Sequence, residues 1–157
     1  MSFDVRGFRN ALGCYPTGIV VVTAAGGGAW RGITVNSFVS LSLNPPLILW
    51  CIAKSSRRYE TFTNAARFTV SVLGRDGRAA AEAIAAAGEG DFSAVPVEDC
   101  GAGPPAIKGA LAVFECRREA LHDGGDHAIV VGWVDTYRCR DGVPLTFFRS
   151  RYGTIAE

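Results

Sequence analysis

A mainly antiparallel β-barrel with a few peripheral helices is the fold class predicted by this 157-residue sequence. Three observations carry that expectation. About seven β-branched or aromatic runs recur along the chain, mostly joined by short turns. They do not alternate regularly with helices, which argues against a doubly wound parallel sheet. Closure into a barrel also removes exposed strand edges.

The elements follow in order. Residues 3–13 read as a short helix, with Ser2 the expected cap and Phe8 and Leu12 spaced by four. "CYPTG" breaks it, and "TGIVVVTAA" is a β-branched strand. "GGG" at 26–28 turns the chain into a hairpin. Strands at 31–43 and 47–53 flank the Pro45–Pro46 pair. Ser55 or Ser56 is positioned to cap a helix running to about Ala66, and "FTVSVLG" alternates as a strand. "GRAAAEAIAAAG" is helical by composition. Residues 88–108 read as loop, followed by strands at 110–121, 127–138 and 144–149. No internal repeat or low-complexity linker divides the chain, so residues 1–157 are expected to form one domain.

Composition narrows the function classes. The chain is 48% apolar and 20% charged with a net charge of +1, which gives no electrostatic case for nucleic acid or a membrane surface. No apolar run reaches the length of a membrane span, and the N-terminus lacks the apolar segment of a secretory signal. The five cysteines are odd in number and form no CxxC pair, which points to a reducing cytoplasm without disulfides. Cys51 and Cys116 lie in apolar runs, where a free cysteine acts as a small hydrophobe.

Three stretches are candidates for chemistry. In "RGITVNSFVSLSL", Thr34, Asn36, Ser40 and Ser42 alternate with Val35, Val39, Leu41 and Leu43. One face then offers neutral donors and acceptors, suited either to solvent or to a flat, uncharged, polar ligand edge. "AKSSRR" follows a buried strand and opens a helix. Its N–H groups, two hydroxyls, Lys54, Arg57 and Arg58 suit a phosphate, although no P-loop is present. "HDGGDHAIVVGWV" sets Asp126 and His127 at the mouth of an apolar strand, a position for binding a ligand amide or phosphate. A structural turn is the better reading than a metal site there, since no established ligand spacing is present. Neither GxSxG nor GxGxxG occurs.

The segments "FRNALGCYPTGIVVVTA", "RGITVNSFVSLSLNPPLILWCIAKSS", "AIKGALAVFEC", "GDHAIVVGWV" and "PLTFFRSRYGTI" together resemble the short-chain flavin reductases. These are the small partners of two-component flavin monooxygenases. The resemblance implies the FMN-binding split barrel, usually a homodimer, and an NAD(P)H-dependent flavin reductase. FMN or FAD is then reduced by NADH or NADPH, and the reduced flavin passes to a monooxygenase. By the same resemblance, Thr34, Val35, Asn36 and Ser37 line the isoalloxazine ring. Ala53, Lys54, Ser55 and Ser56, with Arg58 nearby, follow the ribityl chain and phosphate. His127 lies where the nicotinamide docks, and Tyr152 borders the same pocket. One departure is Asp91 before Phe92, where the family often has a basic residue. Arg57, Arg58 or a partner subunit would then serve the phosphate. The rival readings are a split-barrel flavin oxidase and a flavin or haem binder without turnover.

Overall fold

The chain forms a rolled antiparallel sheet, described by a computed structural model over residues 3–88, 92–101 and 103–155. It begins with helix α1 (Val5–Leu12), strands β1 (Thr17–Gly18) and β2 (Val20–Gly26), and β3 (Ala29–Val35). β4 (Val39–Leu43), β5 (Pro46–Ala53), α2 (Tyr59–Asn64) and β6 (Arg67–Val72) follow. Next come α3 (Arg78–Ala86), β7 (Val97–Glu98) and β8 (Ala106–Ile107). β9 (Ala112–Gly124), β10 (His127–Cys139), β11 (Leu145–Phe148) and β12 (Arg151–Thr154) complete the chain. Among the described residues, no helix is long and apolar enough to cross a membrane.

Seven strands pair in the order β3-β2-β6-β9-β10-β5-β4, so the two edge strands are neighbours in sequence. Laid flat, seven strands would hold those edges about 29 Å apart, at about 4.8 Å per strand. The connector from Val35 to Val39 reaches no more than about 15 Å, at 3.8 Å per Cα step. The sheet must therefore roll until β3 and β4 face one another. They are not paired with each other. The result is a barrel split along one seam, with the connector 36–38 bridging it.

Alternation along the strands fills the barrel. Val20, Val22 and Ala24 of β2, Phe68 and Val70 of β6, and Ile48, Trp50 and Ile52 of β5 meet Ala128 and Val130 of β10 in one buried cluster. Phe62 of α2 joins it, with its ring edge-on to Trp50 at 5.6 Å. A second cluster lies outside the barrel wall, where Ala81 and Ile84 of α3 pack with Val21, Leu73 and Leu145.

Several sequence expectations need correction. The predicted strand 31–43 is two strands, because the backbone leaves strand geometry at 36–38 to cross the seam. Its polar alternation therefore does not run through, and Ser40 and Ser42 belong to β4 at the other sheet edge. The proline pair, with a cis Asn44–Pro45 bond, turns β4 into β5 at the end of β5 remote from Ala53. Ser2 lies outside the described residues. Asp4 caps α1 instead, its carboxylate accepting from the Gly7 N–H at 2.9 Å. The helix expected from Ser55 or Ser56 starts only at Tyr59, because the Ser56 hydroxyl accepts the Arg58 N–H within a turn. β12 was missed because its hairpin turn uses Arg149 and Ser150 at positive φ, without the Asn or Gly that signals such a turn.

Candidate functional site

A cavity of about 520 Å³ lies at the seam, within the size range of small-molecule sites. One wall is the end of β3 and the connector, through Ile33, Thr34, Val35, Asn36 and Ser37. The other is the end of β5, through Cys51, Ile52 and Ala53, with Ser56 in the turn beyond. Gly124 and His127, from the β9–β10 hairpin, close the mouth. Register explains the meeting: His127 stands opposite Ala53 on one side and Gly124 on the other.

The hydroxyls in the wall already have structural duties. Ser37 Oγ accepts the Cys51 N–H at 2.9 Å and donates to the Cys51 carbonyl at 3.2 Å, tying the connector to β5 across the seam. Thr34 Oγ1 donates to the Ala81 carbonyl at 2.8 Å, tying β3 to α3. Asn36 is exposed, and its side chain makes no hydrogen bond among the described residues.

The hairpin is held by a chain of polar contacts. Asp123 Oδ1 accepts the Gly125 N–H at 2.9 Å, and Gly125 takes φ of 78°, a conformation that favours glycine. Asp123 Oδ2 meets the Lys54 ammonium at 2.8 Å, while the Lys54 N–H donates to the Asp126 carbonyl at 2.9 Å. Asp126 Oδ1 lies 2.7 Å from His127 Nδ1, and that hydrogen bond holds the Asp126 carboxyl below its usual range. An ionised carboxylate there requires the proton on Nδ1, which leaves Nε2 open for a ligand. The hydrogen bond from Lys54 likewise holds the Asp123 carboxyl down, and the same contact raises the Lys54 ammonium.

Seven of the residues expected from sequence line this cavity: Thr34, Val35, Asn36, Ser37, Ala53, Ser56 and His127. Lys54 and Ser55 stand beside it, outside its lining. Arg58 turns away and is 9% exposed, its guanidinium donating to the carbonyls of Ile84 and Ala87 at the end of α3. The helix start expected behind Ser56 is not formed, since the helix begins at Tyr59 and the Arg58 guanidinium is engaged by α3. Tyr152 sits on the separate β1-β11-β12 sheet, with its ring edge-on to Phe147 and under the Arg78 guanidinium. Asp91 lies outside the described residues. A cavity of equal volume between α1 and the Arg149–Ser150 turn contains none of the expected residues.

Sequence reading missed Cys51, which was expected to be a core hydrophobe. Ile48, Trp50 and Ile52 take the inward positions of β5, so Cys51 faces outward beside Ser37. Period-two reading of "PLILWCIA" contains that signal. Cys116 does fill the core, and burial pushes its thiol up to about 12.

Comparison with known proteins decides the family. The profile of the flavin reductase like domain matches residues 12–156. This chain belongs to the flavin reductase-like family. The FMN reductase (NADH) SmoA of Agrobacterium fabrum is 47% identical over 152 residues, spanning 97% of this chain and 87% of that protein. HsaB of Rhodococcus jostii, the reductase subunit of a flavin-dependent monooxygenase, is 33% identical over 98% of this chain and 80% of its own. Among solved structures, the Streptomyces globisporus NADH:FAD oxidoreductase SgcE6, in complex with NAD and FAD fragments, superposes with a TM-score of 0.88. It is 36% identical, over 95% of this chain and 91% of its own.

Proposed function

We propose that this chain is an NAD(P)H:flavin oxidoreductase whose flavin substrate occupies the seam cavity. The observation that carries the reading is the convergence of Thr34–Ser37, Ala53 and His127 on one cavity from three separate stretches of sequence. The lining fits a flavin, because it sets apolar Ile33, Val35 and Ile52 beside polar groups of the backbone, Asn36 and Ser56, as a flat ring with a polar edge requires. A bound flavin supplies the redox chemistry, accepting hydride from the nicotinamide.

The protein's part is placement. The Thr34–Ser37 wall orients the ring edge through hydrogen bonds, and the turn from Ala53 to Ser56 follows the side chain toward its phosphate. His127 presents Nε2 at the mouth, where it positions the nicotinamide amide. Proximity is the main effect such positioning serves. The name of the SmoA relative favours NADH over NADPH as the hydride donor. FMN and FAD are both candidate acceptors, and reduced flavin goes to a partner monooxygenase, as the HsaB relationship suggests.

A homodimer completes the proposal. Leu43 is 95% exposed, Val39 and Leu41 beside it on β4 are exposed, and α1 exposes Val5, Phe8 and Leu12. Apolar side chains grouped in this way mark association surfaces, and a second copy is the occupant the family relationship suggests. The five free thiols support a reducing, cytoplasmic setting.

Steady-state oxidation of NADH and NADPH with FMN, FAD and riboflavin tests the activity, and sizing in solution tests the dimer. No flavin-dependent oxidation would overturn the reading. His127→Ala is expected to raise the nicotinamide KM or lower turnover by about tenfold or more while flavin binding persists. A binder without turnover would show flavin binding and no oxidation in either protein.

A further inference from the structure

We propose that Lys54 and Asp123 form a clasp that positions His127, so that Lys54 acts on the nicotinamide side of the site rather than on the flavin phosphate. The inference rests on the reductase reading above and deepens it. Residues 121–126 of the hairpin are all exposed, so beyond the strand register at His127 packing does not fix the tip beside it. Hydrogen bonds do. Lys54 grips the turn at two points, with its N–H on the Asp126 carbonyl and its ammonium on Asp123 Oδ2. The other oxygen of Asp123 holds the Gly125 N–H, and Asp126 holds His127 Nδ1. Lys54 and Asp123 thus hold the backbone of the turn at Gly125 and Asp126, and the Asp126 side chain in turn meets the imidazole.

Two features separate this role from a stabilising one and from a phosphate contact. The ion pair is exposed, 40% at Lys54 and 76% at Asp123, and pairs of that kind add little to stability. Its value lies in placement, where small displacements near reacting groups have large kinetic effects. The Lys54 ammonium is engaged by the hairpin, and Lys54 is absent from the cavity lining.

Lys54→Gln, Asp123→Asn, the double variant and the charge-swapped Lys54→Asp/Asp123→Lys chain test the clasp. The single variants are expected to raise the NADH KM about five- to tenfold, with a smaller loss in kcat. The double variant should be no worse than either single one, and the swap should recover part of the loss. FMN and riboflavin affinities should stay within about twofold of the parent, and melting should hardly move. If Lys54→Gln weakens FMN but spares riboflavin, Lys54 is a phosphate ligand and the clasp is wrong. An unchanged NADH KM overturns it equally.

A readout independent of turnover is available because the chain has only two histidines. With His122→Gln for assignment, the His127 imidazole should show a single Nδ1–H form in the parent, which broadens or shifts in Asp123→Asn. An unchanged signal would overturn the clasp. Absence of NADH oxidation in the parent would instead overturn the reductase reading, while the imidazole signal would still decide the clasp.

Discussion

Two sets of strand hydroxyls in this barrel have different partners, and the difference separates structure from site. Under the segment leading into β8, Thr23 Oγ1 donates to the Pro105 carbonyl and Thr69 Oγ1 to the Pro104 carbonyl, each at 2.7 Å. Ser71 Oγ accepts the Ile107 N–H at 3.0 Å, and all three side chains are fully buried. Prolines carry no N–H and break sheet pairing, so neighbouring side chains must satisfy their carbonyls. This seat is closed, and the protein supplies every partner. At the seam, by contrast, Thr34 and Ser37 are half-buried and bonded to backbone on one side while lining a cavity on the other. A hydroxyl-rich strand therefore signals a need for partners; the tertiary neighbours determine whether a loop or a ligand meets it.

The largest effect should come from the closed seat. Thr23→Val combined with Thr69→Val strands two buried carbonyls and is expected to cost about 2–4 kcal/mol, or about 5–15 °C in Tm. Flavin affinity should change less than twofold. A thermal scan with a flavin titration checks both, and a large loss of affinity would erase the distinction between the two regions.

Ser37→Ala should combine both kinds of effect. Removing the hydroxyl leaves the Cys51 N–H without its acceptor and frees the connector, costing about 1–2 kcal/mol. Flavin Kd is expected to rise about tenfold, as read by fluorescence quenching. Asn36→Ala isolates the ligand side: stability should stay within about 0.5 kcal/mol while flavin Kd rises about threefold or more. A fall in Tm matching that of Ser37→Ala would show that Asn36 is structural too.

Acid should separate the two regions with the smallest effect. The hydrogen bonds of the closed seat come from threonine, serine and backbone groups that do not titrate. The hairpin holds Lys54, Asp123, Asp126 and His127, with the positive charge of Arg9 also acting on Asp126. Asp123 and Asp126 have carboxyls held below their ordinary range by Lys54 and His127 respectively. Their contribution is thus present above the ordinary value near 4 and is lost as pH falls through the lower folded values. The raised Lys54 ammonium sets the alkaline limit, above about 10.4. Hydrogen-exchange protection factors of residues 123–127, corrected for intrinsic exchange, should fall below about pH 4, before those of the β2 and β6 amides respond.

Much of this molecule was legible in its residues. The β-branched runs located the strands of the main sheet, and the "GGG" turn is a hairpin with Gly27 and Gly28 at positive φ. The resemblance carried by "TVNSF" and "GDH" brought together Thr34–Ser37 and His127, which share one cavity. Less legible were features that depend on partners distant in sequence. Arg58 read as a phosphate contact, yet in the fold α3 brings its carbonyls over the guanidinium. Lys54 looked like part of a phosphate loop, yet its partner is 69 residues away on a hairpin tip. The closed seat drew no notice, because "FTVSV" reads as an ordinary strand until prolines 104 and 105 fold onto it.

By itself, the sequence determined which stretches could be strands and which side chains could serve a neutral, polar ligand, because alternation and residue chemistry are local properties. Only the tertiary structure decided that residues 31–43 are two strands on opposite edges of the sheet. A three-residue connector cannot span a flat seven-stranded sheet, so the sheet rolls, and the unpaired seam left by that rolling is where the cavity opens.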